Sequence, residues 1–250
     1  MAERRHAATC ADGGAAGFGL EATRKFVENG ACVVVADIQD AARRAIKAEL
    51  PGEVRFIRCG MRCEAGMQAP VDLAVAEFGG LDVMHHNAGT LGSAKGMDEI
   101  SAEARNAAME MLQTAIMLAI KVAAPALKAR TGAVVLTSSA VGCAYAIAKA
   151  SVCQIGRHAA LTPEGQGTRV NVIVSGAFKT AVGKAPAGAG HAAGRQFARM
   201  QPLPLTGPPR CIADAALFLA SGMSDFVSGV VRPVKGGLTL HRNSRSSAEG

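Results

Sequence analysis

Residues 7–37 read AATCADGGAAGFGLEATRKFVENGACVVVAD, and this stretch decides the fold. Ala7–Ala11 is a short strand of small residues that runs into Gly13, Gly14, Gly17 and Gly19. A helix is predicted from Leu20 to Glu28, with Asn29–Gly30 as its stop signal. Ala31–Val35 follows as a β-branched buried-strand run ending at Asp37. Glycines between a strand and a helix permit a tight turn and let backbone amides approach a pyrophosphate at the helix N-terminus. Asp37 lies eighteen residues past Gly19, where a carboxylate can hold an adenosine ribose diol. That carboxylate would repel a 2′-phosphate, and Ala16, before Gly17, supplies no positive charge to attract one. The expected cofactor is therefore NAD rather than NADP. An ordinary turn and a solvated aspartate would use the same residues, but their joint register favours the dinucleotide.

The alternation continues outward. Helix Ala41–Leu50 precedes Pro51–Gly52 and a strand at Val54–Ile57. Helix Gln68–Phe78 leads through Gly79–Gly80 to a strand at Leu81–His85. A long helix from about Ser101 to Arg130 comes before strand Ala133–Thr137. A helix carrying Tyr145 and Lys149 runs towards Leu161, followed by strand Arg169–Val174. Residues 181–209 are rich in Ala, Gly and Pro and read as a mobile substrate loop. Helix Ile212–Ser221 and a strand around Val227–Val234 close the pattern, and 241–250 reads as a flexible tail. Strands alternating with helices predict α/β architecture: one Rossmann-like, doubly wound parallel sheet with helices on both faces, in one domain over 1–250.

A chain of 250 residues can bury a large single core. The longest apolar run, Met111–Leu127, carries Lys121 and Pro125, which favours a buried helix over a membrane span. The start, with Arg4 and Arg5 followed by glycines, lacks an apolar signal segment, so a cytoplasmic location is expected. Seven cysteines without framework spacing read as core residues or free thiols. Cys59 with Cys63, and His85 with His86, lack partners at zinc spacing, so no metal is expected. The net charge is +7, with basic clusters at Arg43–Arg44, Arg55–Arg62 and His241–Arg245. No aromatic residues interleave with them, so a solvated basic surface is expected and no nucleic acid.

Tyr145 is the chain's only tyrosine, and Lys149 follows it at helical i, i+4 spacing. An ammonium one turn away favours the phenolate and would lower the tyrosine pKa, producing a proton-transfer group. Together with these residues, Gly13-x-x-x-Gly17-Phe18-Gly19, Asn87-Ala88-Gly89 and Ser139 give the chain a resemblance to the short-chain dehydrogenase/reductase family along nearly its whole length. Val33–Asp40, Val71–Asn87 and Leu217–Gly237 resemble its plant branch, which contains secoisolariciresinol dehydrogenase and momilactone A synthase. The resemblance implies an NAD-dependent enzyme that interconverts a hydrophobic, cyclic secondary alcohol and its ketone. It implies catalytic roles for Ser139, Tyr145 and Lys149. It implies cofactor contacts by Gly13, Gly17, Phe18, Gly19, Asp37, Ile38, Asn87, Ala88, Gly89, Tyr145, Lys149 and Thr180. Family members also form dimers or tetramers through the helices near Ser101–Lys128 and Tyr145–Leu161.

Several positions depart from the family pattern. Asp12 replaces a threonine, and an anion near a pyrophosphate site is unfavourable unless it points away. Gly60 stands in place of an adenine-contacting aspartate, His86 in place of an asparagine, and Leu112 near the site of a proton-relay asparagine. Ser139 and Tyr145 are only six residues apart, so roughly half the usual connection is missing, and Ser138 becomes an alternative to Ser139. Ser175-Gly176-Ala177 replaces a Pro-Gly turn, and Phe178 stands where a smaller residue meets the nicotinamide. These changes carry the alternative expectation of a catalytically impaired dinucleotide-binding or structural homologue.

Overall fold

The computed structural model describes residues 7–50, 52–90, 98–139, 144–161, 167–176, 178, 202–203 and 207–238. Seven strands form the sheet: β1 (Ala8–Asp12), β2 (Cys32–Asp37), β3 (Val54–Arg58), β4 (Val83–His86), β5 (Ala133–Ser139), β6 (Arg169–Ser175) and β7 (Val231–Val234). Their order is β3-β2-β1-β4-β5-β6-β7 and every pairing is parallel. The α/β architecture with a doubly wound sheet is as the sequence predicts. β1, β2, β4 and β5 are buried along their whole length, because helices cover both faces of a parallel sheet. The edges β3 and β7 are half exposed and carry Arg55, Arg58 and Arg232, charges that discourage edge pairing.

On one face lie α3 (Glu64–Phe78), α5 (Ala115–Lys128) and α6 (Ala144–Ala159). Met67, Val71, Ile116, Ala119, Leu127 and Val152 meet Met84, Val134 and Leu136 in one core. Opposite them, α1 (Gly17–Glu28), α2 (Asp40–Glu49) and α7 (Arg210–Ala220) bury Phe26, Ile46, Ile212 and Leu219 against Val33, Val35 and Ile173. Small residues set this packing distance. A Cβ on Gly156 would lie 2.4 Å from Val172, so α6 sits on β6 closer than any side chain would allow.

The long helix expected over Ser101–Arg130 is α4 (Ala102–Met109), a π-helical turn (Glu110–Thr114) and α5 in continuous succession. Ser101 caps its start through the Ala104 amide. By length and composition Ala102–Lys128 is apolar enough to cross a membrane. Its residues Ala115, Ile116, Ala119, Val122 and Leu127 nevertheless pack on the sheet, as in a core helix. The last strand is shorter than predicted. The Asn171 side chain bonds the Val227 carbonyl and the Val230 amide, and Ser228 bonds the Val170 amide, so side chains interleave there with the backbone bonds of Gly229 to Val170 and Val172 to Val230. Most of 181–209, all of 241–250 and the connection at 140–143 lie outside the described residues.

Strand order reverses between β1 and β4, and α/β sheets bind ligands in the crevice at the carboxyl ends of such strands. Asp12 and His86, the last residues of β1 and β4, face each other in register there.

Candidate active site

The glycine turn is built by steric necessity. Gly13 and Gly17 have φ of 59° and 53°, in the left-handed region. A Cβ on Gly13 would lie 2.8 Å from the Ala88 backbone, and one on Gly19 would lie 2.0 Å from the Gly13 carbonyl. α1 starts with neither a side-chain cap nor an acidic residue, leaving its positive end to an anionic ligand. Asp37 is buried at the end of β2 and holds the turn from the other side. It accepts from the Ala15 amide at 3.1 Å and the Gln39 amide at 3.0 Å. Ile38 beside it is 64% exposed, an apolar surface at the mouth. These residues fit a dinucleotide: a cradle that any Cβ would fill, with a carboxylate at its edge.

Asp12 does not oppose that site. Its carboxylate is taken up by β4 and the segment after it, accepting from the Asn87 amide at 2.8 Å and the Ala88 amide at 2.7 Å and pairing closely with His86 Nδ1. Burial disfavours its charge, but the His86 ring and the two amides outweigh that penalty and lower its pKa. Asn87-Ala88-Gly89 is thereby fixed against the turn, with the Asn87 side chain near the Gly13 carbonyl.

At the other side of the crevice, Ser139 ends β5 and Tyr145 is the second residue of α6. Despite the short connection, Ser139 is near enough to Tyr145 to favour its phenolate. Ser138 points elsewhere, donating to the Lys149 carbonyl at 2.6 Å, and so is not an alternative partner for Tyr145. Lys149 is fully buried and donates from Nζ to the Thr137 carbonyl at 2.7 Å. Its Nζ stands 5.8 Å from the Tyr145 ring centroid. Burial lowers the Lys149 pKa to about 8, with the Asp12 charge acting in the opposite direction. Burial raises Tyr145 to about 12, only partly offset by Ser139. The expected lowering of the tyrosine pKa by Lys149 is therefore not realised, because desolvation exceeds any charge effect at this separation.

Leu112 lies in the π turn, fully buried, with its Cδ2 and Lys149 Nζ both against Gly89. An apolar side chain thus fills space beside the lysine. Gly60 has open space around its missing Cβ. Phe178 turns its ring edge-on to Phe18, with centroids 5.1 Å apart, and pairs with Gly207. Thr180 lies outside the described residues. Sequence reasoning missed the Asp12–His86 pairing, for which the only signal was two simultaneous departures from one pattern. The Thr137 carbonyl, as backbone, left no signal at all.

A parallel sheet open at its switch point, with a glycine turn on one rim and Ser139, Tyr145 and Lys149 on the other, has the layout of a dinucleotide-dependent oxidoreductase. A family profile described as enoyl-(acyl carrier protein) reductase matches residues 13–239. The chain is 34% identical to 2,5-dichloro-2,5-cyclohexadiene-1,4-diol dehydrogenase of Sphingobium indicum, over 91% of this chain and 94% of that one. It is 32% identical to cis-4-hydroxycyclohexanecarboxylate dehydrogenase of Sinomonas cyclohexanicum, over 91% and 94%. It is 35% identical to momilactone A synthase of Oryza sativa subsp. japonica, over 93% and 89%. The crystal structure of levodione reductase superposes with a TM-score of 0.86, at 23% identity over 93% of this chain and 98% of that one, a likeness of fold. The chain belongs to the short-chain dehydrogenase/reductase family. Its relatives include dehydrogenases of cyclic alcohols, and it is an oxidoreductase of the alcohol dehydrogenase type.

Proposed function

We propose that this chain is an NAD-dependent dehydrogenase that interconverts a hydrophobic cyclic secondary alcohol and its ketone. The observation that carries the reading is Tyr145 stacked one helical turn from buried Lys149, whose Nζ is 5.8 Å from the tyrosine ring centroid, with Ser139 at the adjoining end of β5, at the rim of the crevice that the glycine turn opens. Gly13, Gly17, Phe18, Gly19, Asp37, Ile38, Asn87, Ala88 and Gly89 would hold the dinucleotide, with Thr180 at the carboxamide. When bound, its nicotinamide supplies the acceptor for a hydride from the carbinol carbon. Asp37 favours NAD, since a 2′-phosphate would meet a carboxylate already committed to the turn.

Ser139 hydrogen-bonds the substrate oxygen and Tyr145 Oη exchanges its proton. With its pKa near 12, Tyr145 is a phenol at neutral pH, the form that donates to a ketone oxygen. Alcohol oxidation needs the phenolate, so its rate rises with pH. Lys149, with its Nζ 5.8 Å from the tyrosine ring centroid, does not offset the burial of the phenol, and it loses its own charge as pH rises above about 8. The cyclic, apolar substrate class rests on the relatives, two of which act on six-membered-ring alcohols by name.

An exposed groove of about 510 Å³ between α5 and α6, lined by Met117, Ile120 and Ile155, supports a homo-oligomer assembled through these helices. A cytoplasmic enzyme acting without nucleic acid, metal or membrane completes the reading.

The test is a screen of cyclic secondary alcohols with NAD⁺ and NADP⁺, read by reduced cofactor. NAD⁺-dependent turnover lost in Tyr145→Phe supports the reading; turnover unchanged by that substitution contradicts it. The packing of Leu112 beside Lys149 favours a second reading, a dinucleotide-binding homologue with impaired proton delivery. Tight NADH binding without turnover of any alcohol tested would select it.

A further inference from the structure

The two ends of β1 and β4 hold a carboxylate–imidazole pair where a parallel sheet ordinarily carries apolar side chains. Asp12 and His86 are 0% and 1% exposed, register partners at the strand-order reversal. A buried carboxylate is tolerated only when its lone pairs are met and its charge is balanced. Here His86 Nδ1 meets one oxygen and the Asn87 and Ala88 amides meet the other. Those amides belong to the segment that touches both halves of the site. Ala88 backs onto Gly13, close enough that no side chain fits between them, and Gly89 faces Lys149 Nζ. The pair therefore stands between the glycine turn and the lysine.

We infer that Asp12 and His86 form a single positioning unit that locks Asn87–Gly89 between the glycine turn and Lys149, each residue being required only because the other is present. This rests on the dinucleotide reading of the crevice. Asp12 alone would leave an uncompensated anion in the core. His86 alone would leave a buried ring nitrogen and two amides without an acceptor. His86 Nε2 already lacks a partner among the described residues, so the ring is held by Asp12 alone. A hydroxyl at position 12 still accepts from an amide and needs no countercharge. An asparagine at position 86 is neutral and smaller. The pair is therefore exchangeable as a unit for threonine and asparagine, which also stand at these positions in the pattern the chain departs from. The Asp12 charge extends further: it is a contributor at Cys10 on β1, His85 on β4, Lys149 on α6 and Cys59 after β3.

The experiment is a double-mutant cycle of Asp12→Thr, His86→Asn and their combination. It is read by thermal unfolding of the free protein and by calorimetric titration with NADH. Each single variant is expected to unfold at lower temperature and to weaken NADH binding by about tenfold or more, with the double variant returning to within about threefold of the original. A purely local structural role would lower the unfolding temperature but would not move NADH affinity in variants folded at the assay temperature. Additive losses, or a double variant as unstable as the worse single, overturn the inference. Single variants that fail to fold while the double folds and binds NADH support it. If the unmodified chain does not bind NADH, the dinucleotide reading fails; the unfolding arm still decides whether the two residues act as a unit.

Discussion

The two rims of the crevice have both departed from the family pattern, with opposite structural consequences. On the glycine-turn rim, Asp12 and His86 changed together and each satisfies the other. On the proton-transfer rim, Leu112 brings an apolar side chain beside Lys149, and Lys149 turns its proton to the Thr137 carbonyl. A lost motif residue is thus informative only alongside its neighbour: a change met by a partner preserves a site, and an unmet one alters its chemistry.

The largest expected effect breaks the proton-transfer rim. Lys149→Met should lower alcohol turnover by about 100-fold or more, since positioned acid–base machinery contributes on that scale. The same change should stabilise the fold at neutral pH. The lysine pKa falls from 10.5 to about 8 on folding, so the unfolded chain holds more protons between those values. Burying the ammonium therefore costs up to about 3 kcal/mol below pH 8, a penalty relieved as pH rises towards 10.5. Urea unfolding of both proteins from pH 7 to 10 checks this. A stability gap that does not narrow with pH would contradict it.

On the opposite rim, Gly19→Ala puts a Cβ 2.0 Å from the Gly13 carbonyl and forces the turn open. NADH affinity should fall by about tenfold or more while the sheet remains intact, because each ~1.4 kcal/mol of lost contact with the pyrophosphate is about a tenfold change. Calorimetry and circular dichroism separate the two effects. Unchanged affinity would mean that the turn does not hold the dinucleotide.

His85, buried on β4 behind this rim, links the comparison to pH. Burial lowers its pKa from 6.5 to about 4, so the unfolded chain takes up the proton first as pH falls. Stability should drop by about 2 kcal/mol between pH 7 and pH 5 through this group. His85→Phe should remove that part of the slope in chemical denaturation. A slope identical in both proteins would assign the acid sensitivity elsewhere.

The smallest effect would sharpen the comparison. Gly60 is an unmet departure with free space, so Gly60→Asp should fold normally. It should tighten NADH by a few-fold, the scale of one hydrogen bond of about 1 kcal/mol. Weaker binding would place the adenine elsewhere.

The fold was legible because its signals are local: β-branched runs at Cys32–Asp37 and Ala133–Ser139 and turns at Asn29–Gly30 and Gly79–Gly80 punctuate one another. The π turn at Glu110–Thr114 was not, since apolar spacing runs through it unbroken. The glycine turn was legible because its glycines stand within seven residues of chain between a strand and a helix, although Ala88, far away in sequence, is what crowds Gly13. The direction of Asp12 was not, since its partner His86 lies 74 residues away and only strand pairing brings them together. The tyrosine–lysine spacing put the two side chains side by side but did not give their protonation states, because desolvation by surrounding elements decides those.

The most direct test of the account is a calorimetric titration of the purified chain with NADH and, separately, NADPH. Micromolar NADH binding with much weaker NADPH binding is the predicted result, and it would show that the Asp12–His86 rim keeps a working NAD site. Binding of neither, or preference for NADPH, would contradict that claim.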